Sequence, residues 1–136
     1  MTSLDILVHE AIEFIEKRFP PTPWQGAAAL LLKNGEFLIS TSPRVESESV
    51  SLCHETGAIC EAYKRDQSVI ASVCVSRGED LKYHILSPCG VCQERLYSWG
   101  GDVTVGVPDE TDSTKCNWIK LSQASPYYWR KPFLKK

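Results

Sequence analysis

The sequence contains no apolar run longer than the six residues Ala27 to Leu32, far short of the roughly 20 that a membrane-crossing helix needs. No membrane partner is expected. An excess of basic charge is missing too: 15 Lys and Arg against 17 Asp and Glu leave a net charge of -2, without the positive field that draws proteins to DNA or RNA. A polynucleotide partner is therefore not expected either. There are no repeats and no low-complexity stretch, and the start MTSLDILVHEAIEFIEKRF has neither the basic opening nor the uniform apolar stretch of a signal peptide. These features predict a cytoplasmic protein, and 136 residues predict a single domain, 1–136, around one core.

Cysteine, by contrast, is plentiful. Six of them (53, 60, 74, 89, 92 and 116) would suggest disulfides in a secreted chain, but in a reducing compartment they point to a metal or to catalysis. Their setting follows from the pattern of apolar residues. Leu4, Leu7, Val8, Ala11, Ile12, Ile15 and Phe19 recur every three or four positions behind a capping box of Thr2 and Asp5, which predicts an amphipathic helix ended by Pro20, Pro21 and Pro23. Ala27 to Leu32 and Phe37 to Thr41 flank Asn34-Gly35 as a hairpin. A second helix is predicted from Cys53 to about Lys64 with Ser51 as cap, then a buried strand over Val69 to Val75 and a polar loop. Ser87-Pro88-Cys89 reads as the start of a third helix, with Ser87 as cap. Val103 to Val107 reads as a strand, and Lys115 to Ser122 as a short helix before an aromatic tail. Alternating strands and helices predict a layered α/β sheet with the two cysteine-bearing helices side by side on one face.

The informative constellation is Cys53-His54-Glu55 followed by Pro88-Cys89-Gly90-Val91-Cys92. Cys89 and Cys92 are three apart, hence on one face of a helix, and Cys89 lies in the first turn, where free N–H groups favour a thiolate. Cys53 would be a third sulfur ligand for a tetrahedral zinc, leaving one position for water. Zinc lowers the pKa of such a water to near 7, and Glu55 is the carboxylate that could move its proton. Residues two apart on a regular helix point about 200° away from each other, so Cys53 and Glu55 share a site only if the helix opens onto it.

Other readings compete. A closed structural zinc would take a fourth ligand from Cys60, Cys74, Cys116, His54 or His84; Cys60 lies too far along the helix, and Cys74 and Cys116 suit buried packing. The Cys89 to Cys92 spacing also matches a thioredoxin-like redox pair, which leaves Cys53 and Glu55 without a role. A zinc-stabilised nucleoside-binding module without turnover is a further possibility, although it has no need of Glu55.

On these residues the chain resembles the cytidine deaminase family, including its blasticidin S deaminase branch. Gly26 to Leu31, Asn34-Gly35 and Ser87-Pro88-Cys89-Gly90 extend the likeness along most of the chain. The resemblance implies a three-layer α/β/α sandwich around a five-stranded mixed sheet, assembled as a homotetramer or homodimer. It implies Zn2+ held by Cys53, Cys89 and Cys92, with Glu55 as the catalytic acid and base. The implied reaction is hydrolysis of the 4-amino group of a cytosine nucleoside, as in pyrimidine salvage, or of an antibiotic nucleoside such as blasticidin S. Trp24 falls at a base-contacting position, with a core tryptophan as the alternative, and Trp129 and Phe133 resemble an aromatic ending that covers the site or packs an interface.

Several positions depart from the family pattern. Ser42 and Arg44 stand at the sugar-binding Asn and Glu positions. Arginine only donates hydrogen bonds and attracts anions, so Arg44 would suit a carboxylate or phosphate; a shifted register would instead bring in Glu46 or Glu48. His54 replaces a small residue beside the ring. Thr56 and Gln93 replace arginines that offset the thiolate charge, and Arg95 lies on the helical face from which it could compensate.

Overall fold

In a computed structural model that describes residues 2–134, the first helix, α1, runs over Ser3–Arg18 and opens as its sequence requires. Thr2 accepts from the Asp5 N–H while the Asp5 carboxylate accepts from the Thr2 N–H, each at 3.2 Å, satisfying two of the free donors of the first turn. Leu7, Ala11 and Ile15, four residues apart, form the buried stripe. Phe19, which precedes Pro20, is extended, and the helix stops there.

Strand β1 (Gly26–Leu32) turns into β2 (Phe37–Ser40) through Asn34 and Gly35; Gly35 has a φ of +91°, a left-handed conformation that glycine adopts without steric cost. Helix α2 (Thr56–Lys64), β3 (Val69–Arg77), β4 (Tyr83–Leu86), helix α3 (Gly90–Leu96), β5 (Thr104–Pro108), β6 (Cys116–Lys120) and the short helix α4 (Leu121–Ala124) follow. The continuous path of the sheet is β2-β1-β3-β5-β6, five strands as expected, and β4 joins as a sixth beside β3. Only β3 and β5 pair in parallel; the other pairs are antiparallel.

Three layers result. Ala27 and Ala29 of β1 face α1 together with Val73 and Val75, whereas Ala28, Leu30 and Leu32 face Ala58, Ile59 and Ala62 of α2, Leu96 of α3 and Leu121 of α4. This is the period-two alternation of strands buried on both faces. Among the described residues, no helix is long and apolar enough to cross a membrane.

Four local expectations need correction. Helix α2 begins at Thr56 rather than Cys53, and Ser51 does not cap it but donates to the Glu48 carbonyl. Cys89, not Ser87, is the N-cap of α3. The loop expected after Val75 contains β4, whose register sets Cys74 beside Leu86. Residues 116–120 form a strand rather than a helix because β5 offers a free edge, pairing Val105 with Ile119 and Gly106 with Trp118. Long-range pairing outweighs local preference there.

Candidate active site

Two chain segments converge where helices α2 and α3 begin. Cys53, His54 and Glu55 lie in the turn ahead of α2, where the Thr56 N–H donates to the Cys53 carbonyl at 3.1 Å. This turn allows Cys53 and Glu55 to share one pocket, as a regular helix would not. Ser40 of β2 holds the turn in place: its hydroxyl donates to the His54 carbonyl at 2.6 Å and accepts from the Ala58 N–H at 3.0 Å. On the other side, the Cys89 sulfur accepts from the Cys92 N–H, and the Gln93 side-chain amide donates to the Pro88 carbonyl at 2.8 Å.

The sulfurs of Cys53, Cys89 and Cys92 all lie within 4.8 Å of one another, with Cys53 and Cys89 at 3.2 Å. Tetrahedral zinc with bonds of about 2.3 Å sets sulfurs about 3.8 Å apart, so this donor set fits the metal. None of the six cysteines is in a disulfide. The Cys53 thiol is pushed up by the neighbouring Cys89 thiol and by burial; at Cys89 burial acts upward, but the Cys92 N–H and the Cys53 thiol outweigh it and hold Cys89 below its ordinary value.

Glu55 is 4% exposed and lines the same small pocket as Cys53, Cys74 and Cys89. Burial is the largest influence on its carboxyl and raises its pKa; its own backbone, the Cys92 and Cys74 thiols and the Arg95 charge pull the other way without overcoming it. A carboxyl raised in this way is suited to holding a proton and releasing it. Arg95, in the last turn of α3, donates to the Thr56 hydroxyl at 3.0 Å and so ties the end of α3 to the start of α2. Cys74 is a wall of the pocket and lies outside the three-sulfur group. Cys60 is exposed; His84 is engaged by Asp80 and Ser113, and His9 lies beside Glu13 on α1.

A cleft of about 570 Å³ adjoins this pocket, and His54 lines both. The His54 Nδ1 accepts from the Ser42 N–H at 3.0 Å, which leaves the proton of the neutral ring on Nε2, and burial lowers the pKa of the ring. Trp24, Ser42 and Arg44 line the cleft as well, and Glu46 and Glu48 do not. Trp24 is 68% exposed with a φ of +71°, so it is not a core residue; its N–H donates to the Arg77 carbonyl at 2.8 Å.

Trp129 and Phe133 are not brought to the cleft of their own chain. The Trp129 indole donates to Glu94 at 3.0 Å, the neighbouring Tyr128 stacks on Tyr97, and Phe133 is exposed. Arg77 was not foreseen. Its guanidinium is buried at the end of β3, donating to the carbonyls of Pro20 and Thr22 and to the Tyr83 hydroxyl, and so it fixes the loop that carries Trp24. A charge at a strand end ordinarily reads as solvated, and the sequence carries no signal to the contrary.

Three cysteines at two helix starts beside a buried glutamate, on a three-layer α/β/α frame, form an arrangement of the kind that zinc deaminases use. Solved structures show the family. The chain is similar to the cytidine deaminase from Bacillus anthracis, with 37% identity over 95% of this chain and 91% of that one and a TM-score of 0.88. The fold is also shared with the cytidine deaminases from Mycobacterium leprae (20% identity, 93% and 99% of the two chains, TM-score 0.71) and Mycobacterium tuberculosis (19%, 95% and 98%, 0.69). No protein-family model matches the sequence, and no curated protein sequence does. The chain belongs to the cytidine deaminase family.

Proposed function

We propose that this chain is a zinc-dependent aminohydrolase that replaces the 4-amino group of a cytosine nucleoside with oxygen and releases ammonia. The observation that carries this reading is the placement of Glu55, buried in the pocket lined by Cys53 and Cys89. Cys53, Cys89 and Cys92 would hold the zinc, which when bound supplies Lewis acidity that makes water nucleophilic at neutral pH. Glu55 takes the proton of the attacking water, delivers a proton to ring N3 as the C4–O bond forms, and passes a proton to the amine as the C4–N bond breaks. Water and substrate thus become the 4-oxo base and ammonia.

The cleft beyond His54 would hold the rest of the nucleoside, with Trp24 as a stacking face and Ser42 and Arg44 toward the sugar. Cytidine and deoxycytidine are the reference substrates, and an antibiotic nucleoside such as blasticidin S is the second candidate. The proposal takes the chain as one domain in a reducing cytoplasm, a setting supported by six unpaired cysteines. It includes a role in pyrimidine salvage and assembly as a homotetramer or homodimer, in which the exposed Trp129 and Phe133 are free to meet a neighbouring copy.

The test is ammonia release from cytidine, deoxycytidine, cytosine and blasticidin S, with adenosine and guanosine as controls and Glu55→Ala as the blank. Release from at least one cytosine nucleoside that falls about 100-fold or more in Glu55→Ala is expected for loss of a general acid and base. Absence of release from every cytosine compound, or undiminished release in the variant, contradicts the proposal.

A further inference from the structure

The cleft beside the cysteine pocket has one formal charge in its walls. Its lining includes Trp24, Gln25, Thr41 and Ser42, all neutral, and Arg44 is the only Lys, Arg, Asp or Glu among the residues that form it. Among the described residues, Arg44 takes part in no salt bridge. Arginines at protein surfaces commonly pair with a carboxylate, and an arginine that lines a cleft without one can offer its guanidinium to an anion in a planar, two-pronged way.

Orientation follows from the reaction. The base must present C4 to the cysteine pocket, and His54 stands at the boundary of that pocket and the cleft. The remainder of the nucleoside therefore extends away from the sulfurs into the cleft. A volume of about 570 Å³ lies within the range that accommodates a ligand larger than a bare base. Whatever the sugar carries meets a cation there and no carboxylate. A carboxylate in place of Arg44 would accept hydrogen bonds from sugar hydroxyls; a guanidinium cannot accept and gains most from negatively charged oxygens.

Resting on the deaminase reading above, we propose that the preferred substrate is a cytosine nucleoside whose sugar carries an anionic group, a carboxylate or a phosphate, held by Arg44.

The test reads binding separately from turnover. Zinc-loaded wild type is titrated calorimetrically with three product-like ligands that cannot be deaminated: uridine, uridine 5′-monophosphate, and the uracil nucleoside of glucuronic acid. At least one anionic ligand is expected to bind about tenfold or more tightly than uridine, as one charge-assisted contact provides, and the arm that responds identifies phosphate or carboxylate. Arg44→Gln should bring the ratio of anionic to neutral affinity close to one, and Arg44→Lys, which keeps the charge but loses the fork, should retain part of it. Uridine binding as tightly as both anions, no binding by any of the three, or a preference that survives Arg44→Gln overturns the proposal.

The matching cytosine compounds are assayed in parallel for ammonia. Anion preference without any ammonia release supports the role of Arg44 and removes the deaminase reading. Ammonia release from cytidine without anion preference does the reverse.

Discussion

The imidazole of His54 occupies the space that a side chain on Gly26 would need: a Cβ built there would lie 2.5 Å from His54 Nε2 and 2.9 Å from the Val75 carbonyl oxygen. One contact is with a side chain that can be removed, and the other is with backbone that cannot. Gly26→Ala is therefore expected to destabilise the protein by about 1–3 kcal/mol, as overpacking does. In a His54→Ala background the cost should shrink without vanishing. Denaturant melts of the four proteins measure the coupling, and strictly additive losses would show that the two residues do not compete for space.

Arg77 is expected to control the order of the loop before β1. Arg77→Met keeps the length of the side chain but removes the donors to the Pro20 and Thr22 carbonyls, which lie 2.7 and 3.1 Å from Nη1. The Pro20 carbonyl keeps the Thr22 N–H as a donor, so the loss is that of the hydrogen bonds to a charged donor, about 1.5–3 kcal/mol each at most. Hydrogen exchange over residues 20–25 should accelerate in the variant, and an unchanged exchange pattern would remove Arg77 from this role.

The cysteines should differ in reactivity according to their surroundings. After chelation of metal, Cys89, exposed and with its thiol held below the ordinary range, is expected to alkylate early, while Cys74, buried and shifted upward, stays protected. With metal bound, Cys89 labelling should fall. Peptide mass mapping before and after chelation reads this directly, and equal labelling of Cys89 in both states would contradict its assignment as a ligand.

Cys116 supplies a pH dependence of definite sign. Burial pushes its thiol from an ordinary 9.0 up to about 11 in the folded chain. The folded state therefore keeps a proton that the unfolded state has released. The stability this group contributes is full below about pH 9 and is lost as pH rises to about 11. Thermal melts across that window should decline less steeply in Cys116→Ala. An identical decline in the variant would show that Cys116 does not contribute.

Much of this architecture is legible in the sequence because local and global demands agree. The four-residue spacing of Leu7, Ala11 and Ile15 with the Thr2–Asp5 box fixes α1, and Asn34-Gly35 fixes the hairpin. The cysteine spacing identifies the sulfur cluster before any coordinates. Legibility ends where distant partners decide. Cys-Asn-Trp-Ile-Lys at 116–120 is too short to show a period, and only the edge of β5 makes it a strand. The turn at residues 53–55 depends on what Ser40 and the facing cysteines require, which no helix preference contains. The cleft gathers residues from three separate stretches, near 19–26, 41–44 and 54, so its single charge is visible only once β1 and β2 have brought them together.

The most direct test of the central claim follows metal and turnover in the same samples. Zinc per chain and the rate of ammonia release from a cytosine nucleoside are measured as the purified protein is stripped and reloaded, alongside Cys89→Ser. One zinc per chain, activity that rises and falls in proportion to it, and loss of both in Cys89→Ser are the predicted results. Full turnover in zinc-free protein, or full zinc occupancy in Cys89→Ser, would contradict the account.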